Sequence, residues 1–136
     1  MEIKDIVNPE IKILIVDDLK SARITVRSVL GQLGLKNTIE AVDGLDALEK
    51  LSQNTDVGLI ICDWMMPNME GIVLAEKLQS DPRFQNIPII MATSKSELAD
   101  LAEATIQGVW GYVIKPVCVD GLSKEIAGVF TEPEIL

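Results

Sequence analysis

Short apolar runs alternate along the chain with longer segments in which apolar residues recur at helical spacing. The runs 13–16 and 57–62 are almost continuously apolar, which is typical of strands buried on both faces of a parallel sheet. Segments 38–42, 87–92 and 110–114 predict three further strands.

Each predicted strand is followed by a segment whose apolar residues lie three and four positions apart, the spacing of an amphipathic helix. These segments are 21–33, 45–51, 72–78, 98–106 and 119–130. Five strands in strict alternation with five helices predict an α/β fold with helices on both faces of a parallel sheet. Because crossovers between parallel strands are right-handed, we expect a doubly wound (βα)5 three-layer sandwich.

The length of 136 residues fits a single domain, and no linker or repeat divides it. Residues 1–10 are predicted to form a short N-terminal arm and residues 131–136 a C-terminal tail. Gly34 occupies the position of a helix C-cap glycine. The pair Asp43-Gly44 predicts a turn before the second helix.

The charge and the hydropathy exclude several classes of partner. The net charge is −9 and no basic cluster occurs, which argues against direct binding of nucleic acid, since such binding neutralises phosphates with Lys and Arg. No apolar stretch is long enough to span a bilayer, and no signal-peptide pattern opens the chain. We therefore expect a soluble, cytoplasmic protein without a membrane partner.

The cysteine and histidine content narrows the chemistry further. Cys62 and Cys118 are far apart and form no CxxC unit, so Cys62 is interpreted as a small buried hydrophobe rather than half of a disulfide or metal site. The chain contains no histidine, which removes Ser-His and Cys-His nucleophilic catalysis. If phosphohistidine chemistry is involved, the histidine belongs to a partner.

Three acidic residues follow or end the two most apolar strands. Asp17 and Asp18 close the first run and Asp63 closes the run 57–62, so their carboxylates are expected at one edge of the sheet, where open α/β sheets bind ligands. Two like charges about 4 Å apart repel by roughly 4 kcal/mol at an effective dielectric constant of 20. Such a cluster needs a divalent cation, a proton, or both, and oxygen-only ligands favour Mg²⁺ or Mn²⁺ as the metal. The alternative is that Asp17 or Asp18 only caps the next helix.

Two further strand ends carry polar groups. The fourth predicted strand ends in Thr93-Ser94, and Lys115-Pro116 follows the fifth. Taken singly, these residues could be a helix cap and a solvent-facing lysine, but together they suit a site for a phosphate and a metal. Asp63 could then act as a nucleophile, Lys115 would supply positive charge, and the Thr93 hydroxyl would donate a hydrogen bond to a phosphate oxygen.

Taken together, these motifs resemble the receiver domain of two-component response regulators over nearly the whole chain. They are Asp17-Asp18, the stretch 63–71 with the sequence DWMMPNMEG, Thr93-Ser94 and Lys115-Pro116. The resemblance implies a flavodoxin-like sheet with the family's strand order 2-1-3-4-5. It also implies that Asp63 accepts a phosphoryl group from a histidine kinase or phosphotransfer protein. Mg²⁺ would be bound by Asp17, Asp18, Asp63 and the backbone carbonyl of Met65.

The resemblance further implies a switch that depends on Thr93 and Tyr112. Phosphorylation would draw Thr93 towards Asp63, and the Tyr112 ring would move inward. This would remodel the face formed by the fourth predicted helix, the fifth strand and the last helix, through which the protein could bind a target or dimerise. The alternative role of Tyr112 is a strand aromatic that covers the core. The Lys115-Pro116 peptide bond is expected to be cis.

The stretch around Asp63 is especially similar to that of stand-alone chemotaxis regulators, which bind the flagellar motor switch. Met65 stands where those proteins have a polar residue, and Lys95 stands where they have an acid. Both positions flank the route of water to the acyl phosphate, so we expect an altered phosphoryl lifetime, most readily a longer one.

Three interpretations of the function are kept. The favoured one is a phosphorylatable signalling switch with slow self-dephosphorylation, not an enzyme, either as a stand-alone regulator or as a receiver excised from a larger regulator or hybrid kinase. The second is a Mg²⁺-dependent aspartyl-phosphate phosphatase, which Met65 argues against because such enzymes carry a second Asp at this position. The third is a scaffold without phosphorylation.

Overall fold

A computed structural model of the chain describes residues 2–94 and 108–131. Residues 95–107 lie outside this part, and with them the fourth predicted helix and Lys95, as do residues 132–136 of the predicted tail. The strands are β1 (Lys12–Val16), β2 (Thr38–Ala41), β3 (Val57–Asp63), β4 (Ile89–Thr93) and β5 (Gly111–Ile114), and the described helices are α1 (Lys20–Gln32), α2 (Gly44–Gln53), α3 (Gly71–Gln79) and α4 (Val119–Phe130).

The five strands form one parallel sheet in the order β2-β1-β3-β4-β5, which confirms the predicted α/β fold and strand order. In the centre, Val16 of β1 pairs with Cys62 of β3, while Asp63 pairs with Ala92 of β4. The strand ends that carry Asp17, Asp63 and Thr93 therefore lie at the same edge of the sheet.

Alternate strand residues pack into two hydrophobic layers, one on each face of the sheet. One layer lies under α2 and α3 and the other under α1 and α4, and the side chains in both are almost completely buried. Burial on both faces of the sheet accounts for the continuous apolar runs in the sequence. Representative members are Leu14, Val16, Ile60 and Leu74 in the first layer and Ile13, Ile15, Leu30 and Ile61 in the second.

The ends of the elements differ in places from the sequence prediction. Asp43 is the N-cap of α2, and its side chain accepts a hydrogen bond from the backbone of Asp46. Gly44 is the first helical residue, so the predicted turn at Asp43-Gly44 is a helix start instead. Gly34 has a φ of +83° after α1, which confirms its place in a helix C-cap. The fourth strand begins at Ile89 because Pro88 has no N–H to donate to a neighbouring strand.

The N-terminal segment packs on the domain, which its polar composition did not predict. Residues Ile3–Asp5 form a 3-10 helix. Ile3 and Val7 are buried in the layer formed with α1 and α4. No helix in residues 2–94 and 108–131 is long and apolar enough to cross a bilayer.

Candidate metal and phosphoryl site

Asp17, Asp18 and Asp63 form an acidic cluster at the carboxyl edge of the sheet. One carboxylate oxygen from each residue lies within 4.8 Å of those of the other two. Asp17 is buried, Asp18 is exposed and Asp63 is partly buried. The cluster exists because β1 and β3 are parallel neighbours that end at the same level, as the sequence predicted.

Lys115 reaches into this cluster from the loop after β5. Its Nζ atom donates a hydrogen bond to Asp17 Oδ2 at 2.8 Å and lies 3.2 Å from Asp63 Oδ1. The Lys115 side chain is 23% exposed and that of Asp17 is 4% exposed. The alternative of a solvent-facing lysine is therefore wrong.

The backbone of two loops orients the carboxylates. The N–H of Leu19 donates to Asp17 Oδ1 at 2.9 Å, and the N–H of Trp64 donates to Asp63 Oδ1 at 2.9 Å. The N-cap of α1 is Leu19, which makes no side-chain cap hydrogen bond. The alternative in which Asp17 or Asp18 serves as the N-cap of α1 is thus not observed.

Electrostatics within the cluster shift two pKa values. Burial and the charge of Asp17 raise the pKa of Asp63, while the charge and hydrogen bond of Lys115 oppose that rise. Burial lowers the pKa of Lys115, but the hydrogen bond to Asp17 and the charges of Asp17 and Asp63 outweigh this effect, so the pKa is raised overall. Lys115 therefore stays protonated beside carboxylates that repel one another.

The donor set fits a hard divalent cation. Within residues 2–94 and 108–131, three carboxylates face one ammonium group, so negative charge exceeds positive charge in this part of the cluster. Mg²⁺ and Mn²⁺ prefer carboxylate and carbonyl oxygen. Met65, whose carbonyl is the fourth predicted ligand, lies two residues after Asp63 and is exposed. That role of its carbonyl stays a prediction.

The loop between β3 and α3 is held in one conformation by contacts that the sequence analysis missed. Asn68 has a φ of +66°, and its side-chain amide donates to Asp43 Oδ2 at 2.7 Å. A Cβ atom on Gly44 would come within 2.7 Å of the Met69 side chain, and one on Gly71 would collide with the carbonyl oxygen of Asp63. The sequences Asp43-Gly44 and 68–71 (NMEG) are the signals from which these close approaches could have been predicted.

Thr93 ends β4, and Tyr112 lies on β5, the neighbouring strand that leads into Lys115. Thr93 is buried at the end of β4, and its carbonyl accepts a hydrogen bond from the Lys115 N–H at 2.8 Å. Tyr112 is partly buried against the layer under α2 and α3, while Ser94 is exposed. The Lys115-Pro116 bond is cis, as expected.

Both cysteines are free, as the sequence indicated. Cys62 is fully buried, and this burial raises the pKa of its thiol. Cys118 precedes α4, and its Sγ atom accepts a hydrogen bond from the N–H of Gly121 at 3.4 Å.

Comparison with known proteins identifies the family. The response regulator receiver domain matches residues 13–127. Chemotaxis protein CheY1 of Helicobacter pylori is 39% identical over 115 residues, or 85% of this chain and 93% of that protein. Chemotaxis protein CheY of Pseudomonas aeruginosa is 40% identical over 120 residues, or 88% of this chain and 95% of that protein.

A solved structure agrees with these sequence relationships. Chemotaxis protein CheY4 of Vibrio cholerae superposes with a TM-score of 0.80 at 29% identity, covering 88% of this chain and 98% of that one. The fold, the acidic cluster and the match across most of the chain lead to one assignment. The chain belongs to the response regulator receiver domains, the phosphorylatable modules of two-component signalling.

Proposed function

We propose that Asp63 is the phosphoryl acceptor of this receiver. The observation that carries the proposal is the position of Lys115 Nζ, 3.2 Å from Asp63 Oδ1 inside the acidic cluster. Asp63 combines this cation contact with a side chain that is 13% exposed. Asp17 is more deeply buried and already hydrogen bonds to Lys115 and to Leu19. Asp18 is exposed at the rim.

The transfer that we propose is a single displacement at phosphorus. A carboxylate oxygen of Asp63 forms a new P–O bond to the phosphoryl group of the partner's phosphohistidine, and the P–N bond breaks. The electron pair of that bond returns to the imidazole, which leaves as neutral histidine once it holds a proton. The donor is a histidine kinase or a phosphotransfer protein, since this chain contains no histidine.

The residues that would hold Mg²⁺ are Asp17, Asp18 and Asp63, together with the backbone carbonyl of Met65. The bound cation would neutralise charge on the phosphoryl oxygens. Lys115 contributes a second positive charge from the protein itself. Because its pKa is raised by the neighbouring carboxylates, it stays charged throughout the transfer.

The switch that we propose uses Thr93 and Tyr112. The backbone carbonyl of Thr93 accepts a hydrogen bond from Lys115. Thr93 also ends β4, the strand next to the one that carries Asp63. A new phosphoryl group offers acceptor oxygens to the Thr93 hydroxyl. Movement of Thr93 would free space for the partly buried Tyr112 ring and change the surface around β5. A downstream protein would bind that surface, or two copies of the chain would pair through it.

Met65 is proposed to lengthen the lifetime of the phosphoryl group. Met65 is 54% exposed, and its thioether is only a weak acceptor, so it cannot orient an attacking water as a polar side chain would. Lys95, the second residue assigned to this role, lies outside the described residues. We expect Met65→Asn to dephosphorylate faster than the parent in a phosphoryl-decay assay, and equal rates would refute the role of Met65.

The biological setting that we propose is chemotaxis or motility signalling in the cytoplasm. It is supported by the similarity to proteins named as chemotaxis proteins of the CheY type. The downstream target would then be a motor-switch protein. A receiver that works within a larger regulator or hybrid kinase is the alternative, and binding of the phosphorylated chain to a flagellar switch protein would separate the two.

A stored phosphoryl group is proposed, not substrate turnover. Receivers are not a classical enzyme family, and Met65 takes the place at which phosphatases with an Asp nucleophile carry a second Asp. The test is the intact mass of the protein after incubation with acetyl phosphate, with and without Mg²⁺. We expect one phosphoryl adduct that requires Mg²⁺ and is absent in Asp63→Asn. A parent that forms no adduct would instead favour the scaffold interpretation.

A further inference from the structure

Arg23 of α1 joins the loop that carries the acid pair to strand β2. Its Nη1 atom donates a hydrogen bond to the backbone carbonyl of Asp17 at 2.7 Å, and its Nε atom lies 2.8 Å from Oε1 of Glu40. The Arg23 side chain is only 12% exposed. A planar guanidinium has its donors in a fixed fork, so it holds both groups in one relative geometry.

Strand β2 also holds the other peptide group of Asp17. The N–H of Asp17 donates to the carbonyl of Ala41 at 3.1 Å, and Ala41 follows Glu40 in the chain. The main chain on both sides of the Asp17 Cα is therefore fixed from two consecutive residues of β2. One contact is direct, through Ala41, and the other passes from Glu40 through Arg23.

We propose that Arg23 is a positioning residue for the divalent cation. It fixes the main chain of Asp17 and so keeps the Asp17 and Asp18 carboxylates at the spacing that the cation needs, as groups beyond the ligands commonly do at metal sites. The proposal rests on the proposed function, because it takes Asp17 and Asp18 as cation ligands.

The charge of Arg23 and its positioning role predict opposite changes in Mg²⁺ affinity when Arg23 is replaced. A guanidinium near a cation site repels the cation, so loss of its charge alone would strengthen Mg²⁺ binding. Loss of positioning would weaken binding. A variant that lacks Arg23 and binds Mg²⁺ less tightly would therefore show an effect that its electrostatics cannot produce.

Arg27 provides a matched control. Its Nη1 atom lies 2.8 Å from Oε2 of the same Glu40 carboxylate, and its side chain is 51% exposed. Arg27→Gln and Arg23→Gln remove the same charge from the same partner. The Asp17 carbonyl, however, accepts its hydrogen bond from Arg23.

The first experiment is calorimetric titration of Mg²⁺ into the parent and both variants. We expect the dissociation constant to rise about tenfold in Arg23→Gln and to stay within about twofold of the parent in Arg27→Gln. Unchanged or tighter binding in Arg23→Gln would overturn the proposal, and so would an equal loss in both variants. Arg23→Lys, which keeps the charge but lacks the fork, is expected to fall between Arg23→Gln and the parent, and parent-like binding would contradict a positioning role.

A second readout needs no metal. The N–H of Leu19 donates a hydrogen bond to Asp17 Oδ1. Its amide hydrogen exchange in EDTA therefore reports how well ordered the loop that carries Asp17 and Asp18 is. We expect exchange several-fold faster in Arg23→Gln than in Arg27→Gln, and equal exchange would refute positioning. If the parent itself binds no Mg²⁺, the proposed function fails, while the exchange rates still decide whether Arg23 orders the loop.

Discussion

Asp43 and Asp63 lie at the same edge of the sheet, yet their surroundings shift their pKa values in opposite directions. The Asp46 N–H donates to one oxygen of Asp43 at 2.8 Å, and the Asn68 amide donates to the other at 2.7 Å. These bonds lower the pKa of Asp43. Burial and the charge of Asp17 raise the pKa of Asp63.

The difference separates a structural carboxylate from a reactive one. The oxygens of Asp43 are used to begin α2 and to hold the loop after Asp63. Asp63 instead lies beside carboxylates of its own sign, and the single ammonium group that contacts them among the described residues, Lys115, does not neutralise them. A carboxylate in that state is stabilised by a cation and can react at phosphorus, whereas one that is fully hydrogen bonded gains little from either.

The largest expected contrast is in the response to Mg²⁺. At about a hundred times the dissociation constant, Mg²⁺ should stabilise the parent by about 2.7 kcal/mol. Asp43→Asn should keep most of this increment, because Asp43 is not part of the acidic cluster. In Asp63→Asn a hundredfold weaker site would leave only about 0.4 kcal/mol. Urea unfolding with Mg²⁺ and with EDTA measures the stabilisation by Mg²⁺. Equal stabilisation of the two variants would show that Asp63 does not contribute to the cation site.

The second contrast is the direction in which Asp→Asn changes the free energy of unfolding at the two positions in metal-free protein. Asp43→Asn should lower the free energy of unfolding by about 1 kcal/mol, because a hydrogen bond to a charged acceptor becomes a neutral one. Asp63→Asn should raise it by about 1 kcal/mol, because burial and Asp17 disfavour the charged form. Urea unfolding in EDTA gives both values. Destabilisation in both variants would contradict the conclusion that burial and Asp17 disfavour the charged form of Asp63 in metal-free protein.

A smaller effect tests how Asp43 holds the loop. Asn68→Gly keeps access to the positive φ but removes the amide donor, and should cost about 1 kcal/mol. Asn68→Ala loses both and should cost about 2 kcal/mol. Denaturant unfolding of the two variants measures the difference. If glycine is no better than alanine, the backbone conformation of Asn68 is not what the substitution perturbs.

The smallest effect is the pH dependence of the Asp43 contribution. Because the folded pKa of Asp43 lies below its ordinary value of 3.8, its ionisation favours the folded state above that value. This stabilisation should be lost as the pH falls below 3.8 through the lower folded pKa. The difference in stability between the parent and Asp43→Asn, measured in EDTA, should therefore shrink on acidification. A difference that grows instead would require a raised pKa.

The sequence predicted the sheet, its alternation with helices and the meeting of Asp17, Asp18, Asp63, Thr93 and Lys115 at one edge. These features follow from apolar periodicity and from the rule that parallel strands end together. The strand order and the cis bond were implied by the family resemblance.

The contacts around the site could not be predicted in the same way. Arg23 with the Asp17 carbonyl, and Asn68 with Asp43, join residues that are distant in sequence or depend on one backbone conformation. A helical arginine and an exposed loop asparagine carry no periodic signal. Burial of Ile3 and Val7 also depends on the docking of a segment whose composition is mostly polar.

The central claim is that Asp63, among three neighbouring carboxylates, forms the acyl phosphate. Borohydride reduces an acyl phosphate to an alcohol, so the acceptor Asp becomes homoserine at its own position. The protein should be phosphorylated with acetyl phosphate and Mg²⁺, reduced, digested and analysed by peptide mass spectrometry. We predict homoserine at position 63 alone, and none in a sample prepared without Mg²⁺. Homoserine at position 17 or 18 in place of 63 would contradict the account.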